Sequence, residues 1–226
     1  GSTTSGCMRN ILTSAVILGW ACTSAAMPVE ATLAQWKNLR DPDAPTITFT
    51  DGLRFMQEHG DWPDIKTIRL RTEAAALTEQ PDSTTLRPFC EATPPISGRG
   101  MFACLRSGTG DPKMREAWLH QGWVQGDFAP KEEQTILDVF GSTLTADDHI
   151  KRTDRLLFEE KTNAAERMFR LVPAERHTLY RTRIALINDD RKAPGMVSNI
   201  PAEQRHDAGL LFDRVTARGS QTTVTA

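Results

Sequence analysis

Apolar residues recur at helical spacing through most of the chain, and they nowhere alternate long enough to build a strand. The clearest pattern lies between Leu144 and Gly219. Three segments there open alike, Leu144-Thr145-Ala146-Asp147, Val172-Pro173-Ala174-Glu175 and Ile200-Pro201-Ala202-Glu203, at a constant step of 28 residues that also superposes Leu156 on Ile184 and Phe212. Each opening is a helix start. Pro loses nothing in a first turn whose N–H groups lack intrahelical acceptors, and the carboxylate meets the positive end of the helix dipole. The stripes that follow are Ala146, Ile150, Thr153 and Leu157, then Ala165, Met168, Phe169 and Val172, then Tyr180, Ile184 and Ile187, and last Ala208, Leu211, Phe212 and Val215. Each is amphipathic and cannot bury its apolar face alone, so the repeat predicts stacked helices.

Upstream, the same reading gives shorter helices punctuated by Gly and Pro. A small apolar stretch from Ala31 to Leu39 ends at Asp41-Pro42. Thr50-Asp51 caps a helix through Leu53, Phe55, Met56 and His59, with Gly60 as its stop; Pro63-Asp64 then opens a second one carrying Ile65, Ile68 and Ala75, so the two form an antiparallel hairpin. Further helices are expected over Ser83–Ala92, Gly100–Arg106, from Asp111-Pro112 toward Gly122 to Gly126, and from Ala129-Pro130 to Gly141. The fold class is all-α, an α-solenoid or superhelix of antiparallel helical hairpins over residues 27–219. The polar Ser220 to Ala226 reads as a disordered tail; it offers no capping unit, which makes the array incomplete at its C-terminal end.

Composition narrows the partners. With 27 basic against 29 acidic residues, the net charge of −2 gives no electrostatic case for nucleic acid or an anionic membrane. Gly1 to Cys7 precede an internal Met8 and read as a scar or mis-called start. Residues 8–26 read as a secretory signal peptide, with Arg9 as the basic end, Ile11 to Trp20 as the apolar run and Ser24-Ala25-Ala26 as the cleavage site. That run is too short to span a bilayer. The expectation is an exported, periplasmic protein without a membrane anchor. Cys90 and Cys104 then remain, either joined as a disulfide or left as two buried free thiols, the plainer of the two readings.

Candidate chemistry is sparse. The acid pairs Glu132-Glu133, Asp147-Asp148, Glu159-Glu160 and Asp189-Asp190 sit mostly at helix ends, where solvated acids are expected. His59, His120, His149, His177 and His206 lack metal-ligand spacing, although His149, His177 and His206 recur near one phase of the repeat. No catalytic, metal or cofactor residue is assigned. Trp36, Trp62, Trp118 and Trp123 are core candidates, with Trp123 the best placed for exposure and for stacking on a sugar. Arg152, Arg155, Arg167, Arg170, Arg181 and Arg183 offer either a basic inner face or i, i+4 pairing with neighbouring acids.

Several of these segments together resemble the periplasmic soluble lytic murein transglycosylases of the alphaproteobacterial type. The likeness is carried by Asp61-Trp62-Pro63-Asp64 with Arg69-Leu70-Arg71 and Glu73 to Ala76, by Pro94 to Gly98 and Gly126-Asp127-Phe128, and by Leu144 to His149, Arg155 to Leu157, Ala164 to Met168 and Pro201 to Arg214. It covers about Trp36 to Arg218. The resemblance implies a ring or horseshoe of helices, the N-terminal superhelical domain of such an enzyme. It further implies a C-terminal lysozyme-like domain whose Glu, in a Glu-Ser pair, cleaves the MurNAc–GlcNAc bond to a 1,6-anhydro product. This chain contains no Glu-Ser dipeptide, so no catalytic residue carries over. The implied partners are peptidoglycan strands and the protein's own catalytic domain. The alternative is a stand-alone periplasmic, tetratricopeptide-like scaffold that binds proteins.

Overall fold

The computed structural model describes residues 27–222, with side chains through residue 217. Twelve α-helices and no strand occur among these residues. They are α1 (Val29–Arg40), α2 (Phe49–Glu58), α3 (Ile65–Glu79), α4 (Ser83–Ala92), α5 (Gly98–Arg106), α6 (Pro112–Gln125), α7 (Pro130–Phe140), α8 (Ala146–Phe158), α9 (Thr162–Arg167), α10 (His177–Ile187), α11 (Ala193–Met196) and α12 (Ala208–Thr222). The all-α superhelix of helical hairpins is therefore the fold. The leader and signal assignments on residues 1–26 lie outside the described residues. α12 runs to Thr222, past the boundary expected at Gly219.

Half of the helix starts follow from side-chain caps. Asp82, Ser97 and Asp111 accept the N–H groups of Thr85, Gly100 and Met114 at 2.9, 3.0 and 2.8 Å, which satisfies donors that the helix itself leaves free. Several starts differ from expectation, among them those of α2 and α3, and α5 begins at Gly98, two residues before the expected Gly100. α2 is capped by Thr48, whose hydroxyl accepts from Asp51 N–H at 3.1 Å, so Thr50 and Asp51 already lie in the first turn. α3 begins after Asp64, whose φ of 59° is left-handed and breaks the helix, leaving Pro63 outside it.

One core runs through the stack. Phe102, Trp123, Leu157, Met168, Leu179, Tyr180 and Leu210 within it are fully buried, each large apolar side chain contributing about 1.5–3 kcal/mol relative to exposure. A smaller cluster of Leu39, Ile47, Phe55 and Ile68 holds α1 to α3, with Trp36 and Trp62 half-buried against it. The repeat is kept only in part in three dimensions. Its opening residues Leu144, Val172 and Ile200 are all buried, but only the first opens an α-helix directly. Pro173 and Pro201 open the 3-10 turns Ala174–Arg176 and Ala202–Gln204, and α10 and α12 begin after them at His177 and Ala208. Two glycines set the spacing between neighbouring units. A Cβ on Gly98 would stand 2.5 Å from the Cα of Gly126, and that contact brings the start of α5 onto the end of α6.

Cys90 of α4 and Cys104 of α5 form a disulfide with Cα atoms 5.7 Å apart. The reading as two free thiols is thus corrected. Both helices turn their sulfur atoms to the same shared face, where the residues are 3% and 0% exposed. No helix among the described residues is long and apolar enough to cross a membrane.

Candidate functional site

Four helices meet at the middle of the array and turn polar side chains inward. α6 brings His120 and Trp123, α7 brings Glu133, α8 brings Asp148, His149, Arg152 and Arg155, and α9 brings Arg167. Arg152 lies one turn before Leu156 on the buried face of α8, so the helix carries a guanidinium into the core, where it is 0% exposed. Its Nη1 donates to the carbonyls of Trp123 and Gly126 at 2.6 and 2.7 Å, and its Nη2 to Glu133 at 3.3 Å. These carbonyls end α6 and have no donor within their own helix. The guanidinium also lies over the rings of Trp123 and Phe128, 4.4 and 5.1 Å from their centroids. Burial pushes Arg152 down to about 10, which still leaves it charged at neutral pH.

Arg155 repeats the clamp one turn further along the helix. Its Nε and Nη2 donate to Val124 and Gly126 carbonyls at 2.8 and 2.9 Å, and its Nη1 to Asp127 at 2.8 Å. Glu133, 1% exposed, is shared with Arg167 at 3.3 and 3.4 Å. Both of its oxygens are thus held by guanidinium groups.

Beside this cluster, Trp123 Nε1–H donates to His149 Nδ1 at 3.0 Å. Burial, reinforced by the charge of Arg152, lowers the His149 pKa from its ordinary 6.5, against the opposing pull of Asp148. Asp148 accepts from Thr145 N–H and Oγ1 at 2.8 and 3.0 Å and pairs with His120 Nδ1 at 2.7 Å. Burial alone would raise Asp148; the bonds from Thr145 and His120 outweigh it and hold the carboxyl low.

A pH dependence follows from His149. Its folded pKa is depressed, so its contribution to stability is complete above 6.5 and is lost as pH falls through the folded value, because the proton occupies the nitrogen that accepts from Trp123. His149→Gln should flatten the change in melting temperature between about pH 7.5 and about pH 5.5. An unchanged slope in that variant would remove His149 as its cause. Glu73 and Asp213 act in the opposite sense: burial raises both carboxyls, so their contribution falls as pH rises.

The seam opens to solvent at a cavity of about 420 Å³ whose rim carries Asp127, Lys161, Thr162, Asn163 and Arg167. Lys161 Nζ lies 2.7 Å from Asp127 and 2.6 Å from Glu159, which pairs these charges, and the exposed Glu160 also lines the opening. The rim thus offers a hydroxyl, a carboxamide, an acid and paired charges, hydrogen-bonding groups suited to a hydroxyl-rich ligand.

No family model, curated protein or solved structure matches the chain. Geometry and sequence therefore carry the functional reading. A larger cavity, about 600 Å³, lies between the segment after α10 and α12, bordered by Asp190, Arg191, Arg205 and Arg214.

A second ion cluster joins α8, α10 and α12, with Arg183 and Asp213 buried and Asp154 at its edge. Arg183, 1% exposed, donates through Nε to Asp213 at 2.6 Å and through Nη1 to Asp154 at 3.2 Å. Gly209 makes the room, since a Cβ there would lie 2.3 Å from the guanidinium carbon. Burial raises the carboxyls of both Asp154 and Asp213, the charge of Arg183 opposing it.

Several sequence readings change here. Trp123 is 0% exposed rather than available for stacking, because its indole is enclosed by Arg152, Phe128 and His149. Arg152 and Arg183 form neither a basic inner face nor i, i+4 surface pairs, since both lie in phase with apolar neighbours. Arg155 does pair with Glu159 at i+4, at 2.9 Å; Arg170 reaches Gln134 and Arg181 lies over Phe169. Of the acid pairs, Glu133 and Asp148 are buried, whereas Asp147, Glu159, Glu160, Asp189 and Asp190 are exposed. The histidines form no row. His149 is buried, His177 bonds the Phe169 carbonyl at 2.8 Å and His206 is exposed. No group among the described residues has metal-binding geometry.

Glu73 was missed as a buried acid. It accepts from Ile96 N–H and Ser97 Oγ at 2.7 and 2.6 Å and is 0% exposed, fixing the loop that starts α5. The available signal was an acid between Thr72 and Ala76 on the apolar face of α3. Arg71 likewise clamps the end of α1 through the Asn38 and Leu39 carbonyls at 2.8 and 2.7 Å, and Arg115 the end of α5 through Leu105 at 2.9 Å.

Proposed function

We propose that this chain is a non-catalytic helical scaffold belonging to an exported peptidoglycan lytic transglycosylase, contacting murein strands while another domain cleaves them. The observation that carries the reading is the central seam. Its acids are consumed as structural partners of arginines and helix ends, while the rim beside it offers Thr162, Asn163 and paired charges to a hydroxyl-rich strand. The carboxyls Glu73 and Asp213, raised by burial, are 0% and 3% exposed and cannot reach a glycosidic oxygen. The buried disulfide suits an oxidising compartment and supports export. The order of motifs along the chain supports the family.

Co-sedimentation with purified sacculi tests this. The chain should pellet with the sacculi, release no anhydro-muropeptides, and bind less when Asn163 and Thr162 are replaced by Ala. Failure to pellet would discard the glycan contact; release of anhydro products would discard the non-catalytic role.

A further inference from the structure

The cavity of about 600 Å³ between the segment after α10 and α12 is lined by charged side chains from three stretches of chain. Asp189, Asp190 and Arg191 come from the turn that ends α10, Arg205 follows the turn Ala202–Gln204, and Arg214 belongs to α12. Leu186, Ala193 and Val197 supply an apolar wall. Among the described residues, none of these acids and arginines has an oppositely charged group within 4.0 Å. The arginines of the ion clusters are the contrast, since Arg152, Arg167 and Arg183 are each held by a carboxylate. Charges of both signs thus line one cavity without neutralising one another, and 3 arginines against 2 aspartates leave it at +1.

The backbone fixes where these groups start. Asp190 N–H donates to the Ala185 carbonyl at 2.9 Å and Asp189 N–H to that of Leu186 at 3.2 Å, a pairing that closes the helix with Asp189 left-handed at φ 53°. Asp190 Oδ1 then accepts from Lys192 N–H at 2.9 Å, which holds the turn around Arg191. Arg205 is anchored through Nε and Nη2 on the carbonyls of Ile200 and Ser198 at 2.9 and 3.0 Å, so its guanidinium is oriented before any ligand arrives. A cavity of this size takes a small organic molecule. Guanidinium forks select carboxylates, an aspartate selects an ammonium, and the apolar wall takes a short aliphatic group. Inorganic phosphate would gain the arginines but meet two carboxylates of its own sign.

We propose that this cavity binds a short acidic peptide with a free amino end. Its carboxylates pair with Arg191, Arg205 and Arg214, and its ammonium pairs with Asp189. The site shares no residue with the rim at Thr162 and Asn163, so its occupancy stands or falls apart from glycan contact.

Chemical-shift titration of the full chain with the dipeptide alanyl-glutamate tests the proposal, and a Kd on the order of 1 mM is expected for a ligand of this size. N-acetylating the dipeptide, or replacing it by alanyl-glutamine, removes one charge and should weaken binding at least ~5-fold. Arg191→Gln and Arg214→Gln should each weaken alanyl-glutamate at least ~5-fold. Asp189→Asn keeps a side chain that tolerates the left-handed turn; it should weaken alanyl-glutamate and leave the N-acetylated form unchanged. Arg54→Gln on α2, at a 56% exposed side chain, should change neither. Circular dichroism identifies any variant that fails to fold, and the others then carry the comparison. No saturable shift up to roughly 10 mM, equal binding of the N-acetylated dipeptide, tighter binding of inorganic phosphate, or affinity indifferent to both arginine substitutions would each overturn the assignment.

Discussion

Arg152→Ala destabilises the chain by about 3–5 kcal/mol, the cost of removing one partner from a buried ion pair. Arg152 is 0% exposed and Glu133 1%, so water screens neither and replaces neither. The substitution also strips the donors from the Trp123 and Gly126 carbonyls and empties the space over two aromatic rings. Lys at this position restores the charge but not the planar fork that reaches three acceptors, so Arg152→Lys recovers only part of the loss. Arg181→Ala is the control. That residue is exposed and rests on Phe169 from outside, and its removal should cost less than about 0.5 kcal/mol. Urea unfolding followed by circular dichroism checks all three. An Arg152→Ala midpoint close to that of Arg181→Ala would show that the central clamp contributes little.

Loss of the Cys90–Cys104 bridge is expected to cost about 3 kcal/mol, the loop-closure value for a loop near 15 residues. The bridge spans a sequence separation of 14 and ties α4 to α5, whose other link is the Pro94-Pro95 turn. Cross-linking restricts the unfolded chain, so the effect should appear as a lower unfolding midpoint in reductant. The Cys90→Ala, Cys104→Ala double variant should unfold at a midpoint that reductant does not alter. Equal stability of the parent chain in oxidised and reduced form would contradict the expectation.

These two devices differ in how readable they were. The bridge was one of two readings left open by the count of cysteines, and spacing alone did not choose between them. The arginine clamp was hidden. Arg152, Arg155, Arg167 and Arg183 were visible as a group, yet their partners lie elsewhere in the chain: Trp123 is 29 residues from Arg152, Glu133 is 34 from Arg167, and Asp213 is 30 from Arg183. A basic residue in phase with an apolar stripe was the signal for burial. Glu73 and Glu133 gave the same signal with the opposite charge.

The α12 end shows a different limit. Its stripe reads as Ala208, Leu211, Phe212 and Val215, a face to be buried in the stack, yet the last three are exposed and Leu210 beside them is the buried residue. Periodicity identifies a wide apolar arc on a helix. It does not say where the neighbouring helix divides that arc.

The sequence by itself determined the helices and their stacking. Caps such as Asp82, Ser97 and Asp111 act on N–H groups three residues away, and the 28-residue repeat sets a buried apolar residue, Leu144, Val172 or Ile200, at the head of each unit. Only the tertiary structure decided which polar groups are buried, which cysteines pair and which aromatic faces remain open. Those outcomes depend on side chains that meet across helices, and a buried charge is tolerated only where a distant segment supplies its partner.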